Sequence, residues 1–209
     1  MINILIDERN TCFICLKEKT KDLICCYCKN KMKKVDEKIY IDNGVYANYI
    51  YEYDGILKDI IGEYKFKNKR YFSKVFSKII IDYINTKNIE FDYILYVPSD
   101  KERIKQRGFD HLKLICKYLK KEKNIEIIET LEKIKNTKMQ HFLKRKDRAK
   151  NLKGAFKLKN KEILKDKKLL IIDDIVTTGE TLKEINNILK KSNIKNIKYL
   201  CICGPKKRA

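Results

Sequence analysis

The chain has 209 residues, with 49 basic and 28 acidic side chains and a formal net charge of +21. This length suits one full-sized domain with a small appendage and leaves little room for two domains. Hydrophobic residues make up 44% of the sequence, which favours a folded protein over a disordered or fibrous one. No apolar run approaches the ~18 residues of a membrane span, and acidic Asp7 and Glu8 interrupt what would be a secretion signal. We therefore expect a cytoplasmic protein whose eight cysteines are thiols or metal ligands.

Two Cys-x-x-Cys pairs near the N-terminus are typical of a structural zinc finger. The first pair is Cys12 and Cys15, and the second is Cys25 and Cys28. Each pair offers two thiolates from one tight turn, and together they complete a tetrahedral shell of four sulfurs. Using Cys26 in place of Cys25 would break the two-residue spacing, so Cys25 is favoured and Cys26 is left spare. The pattern predicts Zn²⁺ that stiffens a segment too small to build its own core.

Periodicity and turn residues predict a second, larger domain after the finger. Residues 1–38 are interpreted as the finger with a lysine-rich linker over Lys29–Lys38, and residues 39–209 as the second domain. The predicted elements are, in chain order, a strand over Val45–Tyr53, a helix from Ile56 to Tyr64, a helix over Tyr71–Tyr83, a strand over Tyr93–Val97, a helix over 111–122, a strand over 125–129, a strand over 168–173, a helix over 179–192 and a strand over 197–203. This alternation predicts an α/β fold with a mostly parallel sheet flanked by helices.

The segment Lys168–Leu182, KLLIIDDIVTTGETL, carries the clearest chemical signal. Asp173 and Asp174 follow four apolar strand residues, at the carboxyl end where open α/β sheets bind ligands. Val176–Thr181 then supplies three threonines and one glycine before a helix, and backbone N–H groups in such a loop bind a phosphate. Two carboxylates beside a phosphate loop suit a sugar phosphate. A strand end with helix-capping aspartates would explain the threonines, but not the adjacent acids followed by TTGET.

This segment resembles the phosphoribosyl-pyrophosphate (PRPP) motif of type I phosphoribosyltransferases. Further segments narrow the resemblance to the ComF family, the competence-associated phosphoribosyltransferase-like proteins. Those segments are the four-cysteine finger, Tyr51–Phe66, Val97–Gly108, and Gln140 through Arg148, Asn151 and Gly154 to Phe156. The resemblance covers nearly the whole chain and implies a type I phosphoribosyltransferase fold with a small N-terminal zinc finger.

The resemblance also implies roles for individual residues. Asp173 and Asp174 would meet the ribose hydroxyls, and the 5′-phosphate loop would comprise Ile175, Val176, Thr177, Thr178, Gly179, Glu180 through its backbone, and Thr181. The loop after Pro98 matches the pyrophosphate-binding position, so Ser99, Asp100 and Lys101 are candidates through backbone groups. The basic residues expected at the reaction centre are Arg103, Arg107 and Arg148. Mg²⁺ would arrive with PRPP, held largely by water and substrate oxygens.

A basic segment between Thr130 and Lys168 concentrates 15 basic residues against four acidic ones, over half of the net charge. Its part from Lys133 to Lys153 is placed like the loop that covers the reaction centre in the transferases, where cations would stabilise the leaving pyrophosphate. Arg145 and Arg148 are the favoured contacts because planar guanidinium groups suit phosphate oxygens. A solvated lysine-rich loop is an equal alternative for the individual lysines.

One motif departs from the family pattern. Where the family usually reads Arg-Gly-Phe-Asn-Gln, this chain reads Arg107 to His111, RGFDH. Asp110 would repel pyrophosphate if it faced that ligand but is harmless as a helix N-cap, and the cap is favoured. His111 is expected to be an exposed residue of a first helical turn, and His141 carries the same expectation.

Two functions follow from the resemblance. The first is displacement at the anomeric carbon of PRPP by a nitrogen base or amine, with Asp174 as a candidate proton acceptor. The second is a non-catalytic module of the competence machinery that binds PRPP or single-stranded DNA alongside other competence proteins. A structural zinc protein with a relic α/β domain is a third, less favoured reading, because the PRPP motif is intact.

Overall fold

A five-stranded sheet lies at the centre of the computed structural model, which describes residues 10–123, 125–135 and 152–206. Its strands are β1 (Lys34–Asp42), β2 (Val45–Glu52), β3 (Tyr93–Tyr96), β6 (Leu169–Ile175) and β7 (Ile197–Gly204), in the spatial order β1-β2-β7-β6-β3. β1 pairs antiparallel with β2, and the other three pairings are parallel. The mostly parallel sheet predicted from the sequence is therefore confirmed.

Six α-helices and a small two-stranded sheet complete the described part of the chain. The helices are α1 (Cys26–Lys31), α2 (Gly55–Phe66), α3 (Phe72–Thr86), α4 (Lys101–Arg107), α5 (His111–Lys123) and α6 (Glu180–Lys191), and a 3-10 turn covers Lys161–Leu164. The second sheet pairs β4 (Leu131–Lys133) antiparallel with β5 (Phe156–Leu158). Among these residues, no helix has the length and apolar character needed to cross a bilayer.

The position of each strand explains its residue pattern. β6 lies between two parallel partners, and its first four residues, Leu169–Ile172, are all at most 1% exposed. A strand covered on both faces needs such a continuous apolar run. β1 lies at the edge, and its residues alternate between exposed and more buried positions.

The sequence-based assignment differs from the structure in three places. The predicted linker over Lys29–Lys38 contains the end of α1 and the start of β1, because an edge strand tolerates lysines on its exposed face. The predicted strand over 125–129 is reduced to one parallel bridge between Ile94 and Ile127, since the chain turns into β4 only a few residues later. Helix α4 was not predicted, because it buries no residue and so lacks an apolar stripe. The division of the chain at residue 38 stays a prediction.

The N-terminal finger packs onto helix α3. Phe13 is 2% exposed and meets the ring of Tyr71 edge-on, with 6.0 Å between ring centroids. The ammonium of Lys74 lies 5.6 Å from the centroid of the Phe13 ring. Ile24 and Met32 join the same hydrophobic core as the helices. The finger therefore shares its core with the larger domain.

Gly204 ends β7 in a position that leaves no space for a side chain. A Cβ atom there would lie 2.6 to 2.8 Å from ring atoms of Tyr49, which is itself buried. We predict that Gly204→Ala lowers the free energy of unfolding by about 1–3 kcal/mol through overpacking, measured by denaturant titration.

Gly62, inside α2, is the matched control, because a Cβ there meets nothing within 4 Å. Gly62→Ala should be neutral or raise stability by up to about 1 kcal/mol through helix propensity. Equal losses in both variants would contradict the steric explanation.

Candidate functional site

A cavity of about 860 Å³ opens at the carboxyl ends of β3 and β6. The loop after β3 contributes Ser99 and Asp100, the loop after β6 contributes Thr177, and the first turn of α6 contributes Thr181. Further lining residues come from the end of α2, from α4, from the start of α5 and from the β4–β5 sheet. The residues that carry charge or an aromatic ring are Lys65, Phe66, Asp100, Glu102, Arg103, Arg107, His111, Lys133, Phe156, Asp173 and Asp174. The loop after β3 and the loop after β6, which were predicted separately from the sequence as ligand-binding, therefore line the same cavity.

The predicted phosphate loop forms a tight bend between β6 and α6. Val176 is buried and donates its N–H to the carbonyl of Cys203 at 2.9 Å, which anchors the loop to β7. Gly179 has a φ of +79°, and a Cβ there would lie 3.3 Å from the carbonyl oxygen of Tyr40. Helix α6 begins at Glu180. The first N–H groups of a helix have no partner within the helix, so this bend presents donors close to the exposed Thr177 hydroxyl.

The two adjacent aspartates have different surroundings. Asp174 is 7% exposed, and its Oδ2 contacts the ammonium of Lys65 and the Nε2 of His111, the latter at 2.9 Å. Its Oδ1 accepts the backbone N–H of Ile175 at 2.8 Å. Asp173 is less buried, and its Oδ1 accepts the backbone N–H of Asp174 at 2.9 Å. Asp174 therefore already has a cationic partner in Lys65 and an imidazole partner in His111, whereas Asp173, which also lines the cavity, is the less buried of the two.

These surroundings separate the protonation of the two carboxyl groups. Burial, together with the negative charge of Asp174, raises the pKa of Asp173 to about 8. Burial alone would also raise the pKa of Asp174, but Lys65 and His111 outweigh it and hold that pKa well below its usual range. At neutral pH the pair therefore carries one fixed anion on Asp174 and a proton on Asp173.

The structure corrects the expectation for His111 and agrees with that for Asp110. His111 is not exposed: it is 7% accessible and lies between Asp174 and Ser99, with 3.1 Å between its Nδ1 and the Ser99 hydroxyl. No local sequence pattern indicates this burial, because the two partners lie 63 and 12 residues away along the chain. Asp110 accepts the backbone N–H of Lys113 at 3.2 Å, as a helix cap does.

The loop after β3 places an acid among cations. Asp100 is 3% exposed, and its Oδ2 accepts from Lys133 Nζ at 3.1 Å and contacts Arg103 Nε at 3.2 Å. Lys101, the first residue of α4, is exposed. Arg107 donates its Nε to the carbonyl of Lys65 at 2.9 Å. One terminal nitrogen of Arg107 is buried without a hydrogen-bond partner among the described residues, so this donor is available to a ligand.

Part of the predicted site cannot be placed. Arg148, with Gln140, Arg145 and His141, falls outside the described residues. The described chain stops at residue 135 and resumes at 152, and β4 and β5 on either side of that gap contribute Lys133 and Phe156 to the cavity. The contacts made by residues 136–151 therefore stay predictions.

Sequence reasoning missed the roles of Lys65, Phe66 and His111 and did not single out Lys133. Lys65 and Phe66 end α2, where a basic residue reads as an ordinary C-terminal one. Lys133 lies within a segment dense in lysines, so nothing distinguishes it from its solvated neighbours. Only the packing of α2 and β4 against the two loops reveals these residues.

The four predicted zinc ligands form one cluster. The sulfurs of Cys12, Cys15, Cys25 and Cys28 all lie within 4.8 Å of one another. Cys26 is exposed and outside the cluster, as predicted. The backbone N–H of Cys25 points to the Cys12 sulfur at 3.3 Å. Four clustered thiols, two of them fully buried, fit tetrahedral Zn²⁺ held by thiolates, with no position left open for a substrate.

Comparison with known proteins gives the family. Residues 104–209 match the family model described as the phosphoribosyl transferase domain, which is about half of the chain. The protein therefore belongs to the phosphoribosyltransferase domain family, as the bend after β6 indicates.

Curated relatives bear names that refer to DNA utilization or to competence. The DNA utilization protein YhgH of Escherichia coli K12 is 28% identical over 158 residues, which is 73% of this chain and 69% of the relative. Competence protein F of Haemophilus influenzae is 29% identical, covering 68% and 65% of the two chains. Competence protein ComFC of Streptococcus pneumoniae is 27% identical, covering 74% and 66%. These names confirm the resemblance to the ComF family.

Solved structures are also similar, among them that of the allosteric regulatory enzyme of purine biosynthesis. It is 13% identical with a TM-score of 0.39, and the alignment covers 63% of this chain and 25% of that one. The chain thus spans only a quarter of that enzyme.

The cysteine cluster generates a test with an internal control. Cys28→Ser should reduce bound zinc to a small fraction of one equivalent and lower the melting temperature, because the finger shares its core with α3. Cys26→Ser should keep both the zinc content and the melting temperature of the wild type. Elemental analysis and thermal unfolding measure the two quantities. Zinc loss in the Cys26→Ser variant would contradict the assigned ligand set.

Proposed function

We propose that this protein binds PRPP in the cavity and transfers its phosphoribosyl group to a nitrogen base in the cytoplasm. One observation carries the proposal: the threonine bend after β6 and the cationic loop after β3 face the same cavity of about 860 Å³. A sugar carrying a phosphate at one end and a pyrophosphate at the other needs two anion sites separated by hydroxyl-binding groups. The residues that line this cavity would supply both.

The three parts of PRPP match three parts of the cavity. The 5′-phosphate would accept hydrogen bonds from the bend, through backbone N–H groups and the hydroxyls of Thr177 and Thr181. The ribose hydroxyls would meet Asp173, since Asp174 is held by Lys65 and His111. We therefore assign Asp174 a structural role in the cavity and not the role of proton acceptor. This assignment revises the role that the resemblance implies.

The pyrophosphate would lie in the cationic part of the cavity. Arg103, Arg107 and Lys133 all line this region, and Arg107 brings the buried terminal nitrogen described above. As the bond between C1 and the pyrophosphate oxygen breaks, its electron pair leaves with the pyrophosphate and positive charge develops on the ribose ring. Fixed cations beside the leaving group stabilise the charge that it gains. The protein thus contributes positioning and electrostatic stabilisation.

The residues described at the cavity do not form a preassembled Mg²⁺ cage. Asp100 and Asp174 are already paired with cationic side chains, and the cysteine cluster is the one group of potential metal ligands among the described residues. Mg²⁺ keeps much of its hydration and binds phosphate oxygens well. In the proposed reaction it would neutralise pyrophosphate charge while PRPP oxygens and water hold it.

Phe66 favours a planar base over an aliphatic amine as the acceptor. It is 77% exposed although it lines the cavity, next to Lys65 at the end of α2. The amide side chains of Asn68 and Gln106 line the same region. An aromatic face beside amide donors and acceptors recognises a heterocycle by stacking and by hydrogen bonds to its edge.

A second candidate function is a binding module for DNA handling. The relatives named for competence and DNA utilization support it, as does the net charge of +21. On the finger, Tyr27 is 61% exposed and the Lys31 ammonium lies 4.4 Å from the centroid of its ring. Aromatic rings beside cations are how proteins bind single-stranded DNA. The cavity would then bind PRPP as a regulatory ligand, alongside other competence proteins.

Calorimetry with ribose 5-phosphate and with PRPP plus Mg²⁺ tests the proposed site. Both ligands should bind the wild type, and Asp173→Ala should weaken both by about tenfold, the effect of one hydrogen bond to a charged or buried group. Asp59→Ala, on the exposed face of α2, is the control and should bind like the wild type. The absence of binding to the wild type would refute the proposal.

Release of pyrophosphate from PRPP, measured with a panel of nucleobases, separates the two functions. Base-dependent release supports a transferase, whereas PRPP binding without release supports the module. DNA affinity should then be followed across a salt series, because binding that vanishes near physiological salt reflects lysine charge and not a dedicated site.

The sequence contains no tryptophan, which allows a direct test of Phe66. In Phe66→Trp, a nucleobase that stacks on the ring should quench the indole fluorescence. Tyr27→Trp, on the finger, controls for unspecific quenching. Phe66→Ala should weaken base binding about 5- to 100-fold while ribose 5-phosphate binds as in the wild type. Equal quenching of both tryptophan variants would contradict the stacking assignment.

A further inference from the structure

His111 is buried at the cavity between a carboxylate and a hydroxyl group, those of Asp174 and Ser99. Its Nε2 lies 2.9 Å from Oδ2 of Asp174, and its Nδ1 lies 3.1 Å from the hydroxyl of Ser99. The phenol of Tyr64 donates to the backbone carbonyl of His111 at 2.6 Å, which fixes the start of α5. The imidazole therefore connects the strand end of β6 to the loop after β3.

The state of Asp174 decides which ring nitrogen carries a hydrogen. Asp174 is an anion and can only accept, so Nε2 must carry the proton. In a neutral ring Nδ1 is then an acceptor, and the hydroxyl hydrogen of Ser99 points to it. Ser99 consequently presents oxygen lone pairs to the cavity, which oppose an anionic ligand.

The charged and titratable groups around the ring come from every element packed against it. They are Tyr64 and Lys65 from α2, Arg107 from α4, Asp110 before α5, and Asp173 and Asp174 from β6. Burial lowers the pKa of His111, and the positive charges of Lys65 and Arg107 lower it further. The negative charge of Asp174 raises this pKa, but not enough to offset them. Without a ligand, the ring is therefore neutral at pH 7.

An anion next to Ser99 reverses the preference of the His111 ring for its neutral form. A phosphate oxygen accepts hydrogen bonds, so the Ser99 hydroxyl must turn towards it, and Nδ1 must then donate to the serine oxygen. Moving the single proton from Nε2 to Nδ1 would aim a lone pair at the Asp174 carboxylate. Only the doubly protonated ring satisfies Asp174 and Ser99 together, and the negative charge of the ligand favours that cation.

We propose that His111 is a positioning residue for a diphosphate ligand: it takes up a proton when the anion binds and thereby turns the Ser99 hydroxyl towards it. The inference rests on the proposed function, since it places the pyrophosphate group beside Ser99. It makes diphosphate affinity increase as pH falls. Gln, the usual family residue at this position, can bridge the same two partners but cannot take up a proton.

Nitrogen NMR of the histidine rings tests the proton directly, with inorganic pyrophosphate as the probe. The chain has two histidines, so signals absent from His111→Gln belong to His111. At pH 7 the free protein should show a neutral ring protonated at Nε2, and saturation with pyrophosphate should convert it to the imidazolium form. In Ser99→Ala the ring should stay neutral at saturation, because the donor to be turned is missing.

Calorimetry in buffers of different ionisation heat counts the protons taken up. The wild type should take up close to one proton more per bound pyrophosphate than His111→Gln does. Its affinity should fall with rising pH more steeply than that of His111→Gln, by up to about tenfold per pH unit, the limit for one linked proton. The ionisation of pyrophosphate and of Asp173 is common to both proteins and cancels in the comparison.

The outcomes separate this inference from the proposed function. If ribose 5-phosphate and pyrophosphate both bind but His111 stays neutral, or if His111→Gln shows the same proton uptake, the inference is wrong and the proposed function stands. If neither ligand binds the wild type, both are wrong. If the His111 ring becomes charged when pyrophosphate binds but not when ribose 5-phosphate binds, the result supports the inference and places the pyrophosphate beside Ser99.

Discussion

The buried carboxylate of Asp174 is the group on which the candidate site depends. A charge removed from water is costly unless cations and hydrogen bonds compensate it. Lys65 from α2 and His111 from α5 supply that compensation, together with the backbone N–H of Ile175. The need to compensate the charge of Asp174 therefore holds α2 and α5 against the end of β6. The cavity lies above this junction, so its shape follows from the need to neutralise one side chain.

The same junction gives Asp173 and Asp174 different chemical roles. Burial and the negative charge of Asp174 raise the pKa of Asp173, which is the less buried of the two aspartates and also lines the cavity. A protonated carboxyl group can donate a hydrogen bond as well as accept one, which suits a sugar hydroxyl. Adjacent residues of one strand thus differ in chemistry because successive side chains point to opposite faces and meet different neighbours.

A second set of contacts connects the finger to the same cavity. Phe13 packs on Tyr71, and Arg70 donates to the carbonyl of Gly108 at 3.2 Å and lies over the ring of Phe109. Gly108 ends α4 in a left-handed conformation, directly after Arg107. The finger, held by its four cysteines, thus helps to fix the start of α3, which in turn holds the end of the cationic helix α4.

The amino-acid sequence determined the features that depend on neighbours along the chain. The spacing of Cys12 to Cys28 predicted the metal cluster, and the run before Asp173 with the threonines after it predicted the central strand and the bend, because local periodicity and turn chemistry encode both. The partners of His111 lie 12 and 63 residues away and come from separate elements, so no local pattern could mark it as buried. Phe66 likewise reads as the last apolar residue of a helix. Only the packing of these helices against two strand ends decided which ordinary side chains face the cavity, because burial and electrostatic environment are properties of three-dimensional proximity.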